Sequence, residues 1–203
     1  RVGELGIACE ACHSTAHEHV RLNQSPLRRY LLHQGQKPDP SIVNPKRLEA
    51  KIASQVCGQC HGIKWISDRE EWTRNGFLFR PGQELAPATP LVRPARLESQ
   101  LWLTTPLKQN PTFLEDHYWS DGMVRVSGRE YNGLVESACH ERGGLSCLSC
   151  HSMHSSKPND QLAAGMESNQ ACLPCHKTIQ IAEHTRHRAG SSGTECYNCH
   201  MPY

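Results

Sequence analysis

Residues 147–154 read Cys147-Leu148-Ser149-Cys150-His151-Ser152-Met153-His154. Two cysteines and two histidines, each pair spaced by three, share eight positions. Side chains at i and i+3 lie on one side of a helical turn, so Cys147 and Cys150 present both thiols in one direction and His151 follows directly. The same C-x-x-C-H order recurs at Cys9-Cys12-His13, Cys57-Cys60-His61, Cys172-Cys175-His176 and Cys196-Cys199-His200. These five copies take ten of the 11 cysteines, whereas the composition predicts about 0.04 such matches by chance.

C-x-x-C-H is the attachment signature of c-type haem. Two thiols on one face of a turn can bond the two vinyl groups of one porphyrin, and the histidine that follows supplies the proximal imidazole to the iron. Ten cysteines and five proximal histidines, His13, His61, His151, His176 and His200, thus predict five covalent haems. Zinc sites fit poorly, because they use such pairs two at a time or with distant histidines, and five copies leave one over. A dithiol redox motif is expected once, beside a βαβ pattern. A disulfide framework is disfavoured by the odd cysteine number and by a spacing ill-suited to bridging.

The haem reading also addresses the composition. Of 203 residues 37% are hydrophobic and only 6% aromatic, which is lean for the core of a one- or two-domain chain. Five macrocycles are expected to act as that core, and their removal to unfold the chain. The formal charge of +2 and the lack of a basic, aromatic-interleaved run argue against nucleic acid. No apolar run approaches the roughly 20 residues of a transmembrane helix. The sequence opens at Arg1 with neither a basic n-region nor an apolar h-region, so any export signal is expected to lie outside it.

Eight histidines remain: His17, His19, His33, His117, His140, His154, His184 and His187. Five of them would fill the second axial position on five irons. His154, expected one helical turn from His151, cannot clamp the opposite face of the same iron and is assigned to a different haem. The six residues from His13 to His19 likewise hardly wrap around a porphyrin. His184 and His187 are read as an i, i+3 pair on one side of a helix, able to serve two neighbouring haems. His117 is kept as a candidate ligand, and for it, His33 and His140 a surface or core role competes evenly. Of the methionines, Met123 and Met166 read as core, and Met201 follows a proximal histidine too closely to ligate. Cys139 has Glu136 where a partner cysteine would be; a free thiol or an intermolecular bridge is possible, but a buried apolar role is favoured.

The motifs begin at 9, 57, 147, 172 and 196. Residues 136–203 are expected to form a compact three-haem cluster and residues 1–135 an N-terminal part with two haems and a proline-rich loop, the two read as one continuous haem-cored domain. Asn44-Pro45 reads as the start of a helix that presents Leu48, Ile52 and Val56 and runs into Cys57. WISDREEWTRNG reads as a helix stopped at Gly76. Residues 80–96, with Pro81, Pro87, Pro90 and Pro94, form a loop. Met123–Val126 is the one plausible strand, and GREYNGLVESAC gives a helix through Tyr131, Leu134, Val135 and Ala138. The expected class is mainly α with extensive loops and little β, organised around stacked haems.

Taken in order, IACEACHSTAHEHV, PDPSIVNPKRL leading to CGQCHG, YWSDGMVRVSGREYNGLVESAC, GGLSCLSCHSMH and HTRHRAGSSGTECYNCHMPY resemble bacterial multihaem c-type cytochromes of the doubled C-x-x-C-H type. Those proteins are related in haem packing to the tetrahaem cytochromes of ammonia oxidisers and to pentahaem nitrite reductases, and in several the cytochrome part precedes tetratricopeptide repeats. The resemblance implies distal-ligand roles for His19, His154 and one or both of His184 and His187. It implies a periplasmic or cell-surface location and a chain that continues past CHMPY. Ser14-Thr15 depart from the Gly-Pro that relatives carry after CEACH, and the extra His17 leaves the ligand choice there open.

Three functions are weighed. The leading expectation is electron transfer to and from redox partner proteins through bis-histidine, low-spin haems, because an iron with both axial positions filled binds no substrate. The second is reduction or oxidation of a small nitrogen or sulfur compound at one open haem. Pentahaem nitrite reductases carry lysine after the second cysteine of their active haem, and all five positions here are histidine. The third is a homo-oligomer or conductive extracellular filament, which motifs near both termini would suit.

Overall fold

The computed structural model describes residues 7–35, 37–154 and 161–201. About half of the chain is helical, in short segments joined by long loops, and the only β pairing among the described residues is three isolated bridges, Lys64 with Leu91, Tyr118 with Val124 and His151 with Leu162. The mainly-α class with extensive loops holds. The chain forms two compact units, residues 1–146 and 147–203.

The first unit opens with α1 (Cys9–His13), α2 (His17–Leu22) and α3 (Pro26–Gly35). Asn44 caps as expected, its side chain accepting from the Lys46 N–H at 3.1 Å, but it starts only a single 3-10 turn, Pro45–Arg47. Leu48 then turns extended, and the long helix α4 (Ala50–His61) begins afterwards. Its inner face buries Ala53 and Val56 and carries the second motif at its end. α5 (Arg69–Asn75) stops at Gly76 as expected, at φ +72, but starts only after Asp68, which caps it by accepting from the Glu71 N–H at 2.7 Å, four residues inside the expected WISDREEWTRNG helix.

The proline-rich loop folds back rather than standing free. Val92 N–H bonds Ile63 O at 2.9 Å and Trp65 N–H bonds Pro90 O at 3.0 Å, which lays residues 90–92 against the strand-like exit from the second motif. α6 (Thr104–Gln109) and α7 (Phe113–His117) follow. The expected strand at 123–126 is only the short return limb of a tight turn at residues 119–122, with one bridge, Tyr118 to Val124, flanked by Trp119 N–H to Met123 O at 2.7 Å and Arg125 N–H to His117 O at 3.0 Å. The helix expected through GREYNGLVESAC is two, α8 (Glu130–Glu136) and α9 (Ala138–Glu141), because Ser137 turns extended and caps the second by accepting from the His140 N–H at 3.2 Å.

Two apolar clusters fill this unit. Ile63, Val92, Leu103 and Tyr118 make one; Phe79, Leu85, Tyr131 and Val135 make the other. Haem is therefore not the sole core, since the stretch between the second and third motifs builds an ordinary one.

The second unit contains α10 (Cys147–Cys150), α11 (Ile181–Thr185) and α12 (Tyr197–His200). Among its described residues no apolar side chain is buried, and Thr194 is the one residue that is. Asn169 holds it together by accepting from Cys196 N–H at 2.7 Å and donating to Thr194 O at 2.8 Å. No helix among the described residues is long and apolar enough to cross a membrane.

Candidate haem sites

Every C-x-x-C-H copy makes a single turn. The first is α1 and the second ends α4. In the other three the histidine N–H bonds the carbonyl of the first cysteine: His151 to Cys147, His176 to Cys172 and His200 to Cys196, each at 3.0 Å. The fourth achieves this without a helix, as a turn behind the 3-10 segment Asn169–Ala171. All 11 cysteines are exposed or half-exposed. No three or more histidine, cysteine or acidic groups converge on one point among the described residues. Each pair thus stands at the surface as a separate anchor.

Around these anchors lies the apolar surface that a porphyrin needs. Ile7, Val20, Leu27, Tyr30 and Leu31 are exposed in the segments flanking the first motif, and Met201, 71% exposed, adjoins the fifth. In water such surface is unfavourable by about 25 cal/mol per Å² relative to burial, and the macrocycle is a body of the right chemistry to cover it. Thiols on one face, an adjacent imidazole and uncovered apolar flanks fit covalent haem c.

Four histidine rings make the Nδ1 contact that a ligating histidine uses. A ligating histidine commonly donates its other ring N–H to a carbonyl or carboxylate, which fixes the tautomer. Nδ1 of His13 lies 2.7 Å from Val43 O, and Nδ1 of His61 3.0 Å from Glu130 Oε2. Nδ1 of His117 lies 2.7 Å from Phe113 O, with its ring stacked on that phenyl at 4.5 Å. Nδ1 of His140 lies 2.7 Å from Leu145 O. Donation from Nδ1 leaves Nε2 as the unprotonated nitrogen, the form that metals take.

His19 Nδ1 sits 3.2 Å from Asp39 Oδ2. Burial of Asp39 opposes its charge, but the hydroxyl and N–H of Ser41, the Asn23 amide and the Arg28 guanidinium outweigh it and hold the carboxyl well below the usual carboxylate range. His19 thereby faces a fixed negative charge. His17 and His33 are exposed.

In the second unit His184 approaches the proximal histidine of the fifth motif. The two rings are inclined by only 13°, with centres 6.0 Å apart. Two imidazoles on opposite faces of one iron have a metal–nitrogen distance of about 2 Å each, plus roughly 1 Å from nitrogen to ring centre, so their centres lie on the order of 6 Å apart.

Several expectations change. α11 stops at Thr185 because Arg186 adopts a left-handed conformation, φ +56, so His184 and His187 do not share a helical face. His187 instead packs its ring over Gly193, where any side chain would collide with it. The turn expected to carry His151 and His154 ends at Cys150, since Ser152 N–H bonds Gln161 O at 2.7 Å and His151 pairs with Leu162. His154 is exposed. Cys139, expected to be buried, is exposed; the short helix behind Ser137 turns its neighbour His140 inward instead, to 6% exposure.

The first two motifs, 48 residues apart, touch. Gln59 at the end of α4 donates to Ala11 O at 2.7 Å. Burial pushes the Cys12 thiol up, and nearby Cys60 and Cys9 add to it.

Residues remote in sequence also serve the second motif. Arg129 donates to Cys60 O at 2.8 Å, Glu130 accepts from His61, and Tyr131 packs its ring against Gly58. Lys64 donates to Gly58 O at 3.3 Å and to Gln59 O, and burial lowers its ammonium pKa. Nothing in the sequence marks Arg129, Glu130 or Lys64 for this work, because their partner is 69 residues away or depends on how the helix ends.

A family model of the doubled CXXCH motif matches residues 141–180, the segment that holds the third and fourth copies. The chain matches no curated protein and no solved structure. The match supports a multihaem c-type cytochrome, and the motifs indicate covalently bound haem c.

Proposed function

We propose that the chain carries five covalent haems and works as an electron carrier, with both axial positions of most irons filled by histidine. The observation that carries this reading is the approach of His184 to His200, their rings near-parallel with centres 6.0 Å apart. That spacing suits one iron between them, and an iron so held has no position for a substrate. His19, His117 and His154, with His187, complete the candidate distal set, and His140 joins it because its buried ring is already oriented by Leu145.

The chain's own residues would bring the cofactors close. Gln59 ties the first two anchors together through Ala11, and the last three anchors lie within 57 residues that form one unit. Porphyrins anchored so densely come within hopping distance of one another. Exchange with redox partner proteins is the expected use, and covalent haem attachment supports a periplasmic or cell-surface location. Residues 136–203 would then be the three-haem part and residues 1–135 the two-haem part.

Low-temperature electron paramagnetic resonance of the oxidised holoprotein, integrated against total haem, tests the proposal. All iron is expected to be low-spin, and His184→Ala is expected to convert one iron in five to high-spin or to a new ligand field. A high-spin iron in the unaltered protein would overturn the closed-haem reading, and small-molecule reduction would then be assayed.

A further inference from the structure

The proximal histidines of the first two motifs are held by different groups. Nδ1 of His13 meets a backbone carbonyl, Val43 O, at 2.7 Å, whereas Nδ1 of His61 meets a carboxylate, Glu130 Oε2, at 3.0 Å. A carbonyl orients the ring. A carboxylate also draws the Nδ1 proton toward itself, adds negative charge beside the imidazole and makes Nε2 a stronger donor to the metal.

The contact is built rather than incidental. Glu130 opens α8, and its other oxygen accepts from Gly128 N–H at 2.9 Å, where the backbone turns at φ +75. On either side of it Arg129 grips Cys60 O and Tyr131 lies against Gly58, so three consecutive residues engage the final turn of α4. Partial desolvation would favour a neutral carboxyl, yet the backbone N–H groups and the His61 ring prevail and lower the Glu130 pKa, on a side chain that stays 70% exposed. The other charges nearby are those of Arg129 and Lys64, both donating to backbone carbonyls at the end of α4.

We propose that Glu130 is a positioning residue that lowers the reduction potential of the haem anchored at Cys57 and Cys60, through the hydrogen bond it accepts from His61. This rests on the reading of His61 as an iron ligand. Electron donation by a more basic imidazole favours the ferric state, and hydrogen bonding behind an axial ligand is one of the levers by which a protein sets haem potential.

The test is an anaerobic spectroelectrochemical titration of the full-length holoprotein and two variants. Glu130→Gln keeps the acceptor oxygen and removes the charge; Glu136→Gln removes an equal charge from the same helix, where it pairs with Arg93 and not with a haem anchor. In the first variant one titrating component is expected to move to higher potential while the rest stay, and in the second that component is expected to stay. Superimposable curves for Glu130→Gln and the unaltered protein would overturn the proposal, as would equal shifts in both variants. Should Glu130→Gln assemble short of its haem, paramagnetic resonance of the unaltered protein decides. One low-spin component must then show the narrower g spread of a more basic ligand, and a uniform spread across all components overturns the idea. These outcomes are independent of the electron-carrier reading, which falls on high-spin iron and survives an unshifted potential.

Discussion

The ring of Tyr131 occupies the space that a side chain at Gly58 would need, in the middle of the C-x-x-C-H turn that ends α4. Gly58 is buried and Tyr131 is 7% exposed. The missing Cβ is what lets α8 approach the second anchor closely enough for Arg129 and Glu130 to reach Cys60 and His61. Gly58→Ala is expected to destabilise the first unit by about 1–3 kcal/mol, since overpacking outweighs the roughly 1 kcal/mol that alanine gains in a helix interior. Denaturant unfolding followed by circular dichroism measures it. A variant as stable as the parent would mean that the ring can move aside at no cost.

Asn132 joins the second anchor to the apolar clusters. Its Oδ1 accepts from Ile63 N–H at 2.6 Å, and its amide donates to Val92 O at 2.7 Å and Tyr118 Oη at 2.9 Å, all buried. Tyr118 donates in turn to Val92 O at 2.8 Å, and burial, foremost, keeps its phenol protonated far above the ordinary range. Asn132→Ala strands the Ile63 N–H and leaves a cavity, so a loss of about 2–4 kcal/mol is expected. Asn132→Asp keeps the acceptor and should cost less than Asn132→Ala only while its acid is protonated. Comparing the two unfolding curves at pH 7 and at low pH checks the sign: the aspartate variant should gain relative to the alanine variant as pH falls.

The two units should respond oppositely to loss of haem. Residues 50–135 bury ten apolar side chains, from Ala53 to Val135, without help from a cofactor. Residues 147–203 bury none among those described. Folding costs about 1–2 kcal/mol of backbone entropy per residue, which three hydrogen-bonded turns and Asn169 cannot offset. Replacing Cys147, Cys150, Cys172, Cys175, Cys196 and Cys199 by alanine is expected to open the second unit to limited proteolysis, with the span from 50 to 135 still protected. Protection of both would show that the polypeptide alone specifies the second unit.

What could be read from the sequence was local. Gly76 stops α5 as read, because a left-handed stop is decided within a few residues. Each C-x-x-C-H turn is likewise fixed by its own spacing. Extrapolation failed where one residue changes the backbone: Leu48 delays α4, Ser137 divides α8 from α9, and Arg186 ends α11 before His187. Burial depends on the whole fold, so Cys139, expected inside, lies exposed, and His140, left open, is the buried one. The Glu130 contact with His61 joins residues 69 apart, and no periodicity reports such a pairing.

Cys139 offers a count of the haems. It is the one cysteine outside the five motifs, and it is exposed on α9. If ten cysteines are consumed as thioethers, an alkylating reagent should modify one thiol per chain in the native protein and the same one after denaturation, with Cys139 as the labelled position by peptide mass. Each motif lacking its haem would add two thiols to the denatured count, so a value of three or five would reduce the haem number to four or three. A native count of zero with a denatured count of one would instead mean that Cys139 is covered in the holoprotein. Cys139→Ser, which abolishes labelling without touching any haem anchor, identifies the signal, and its absorbance per chain must equal that of the parent.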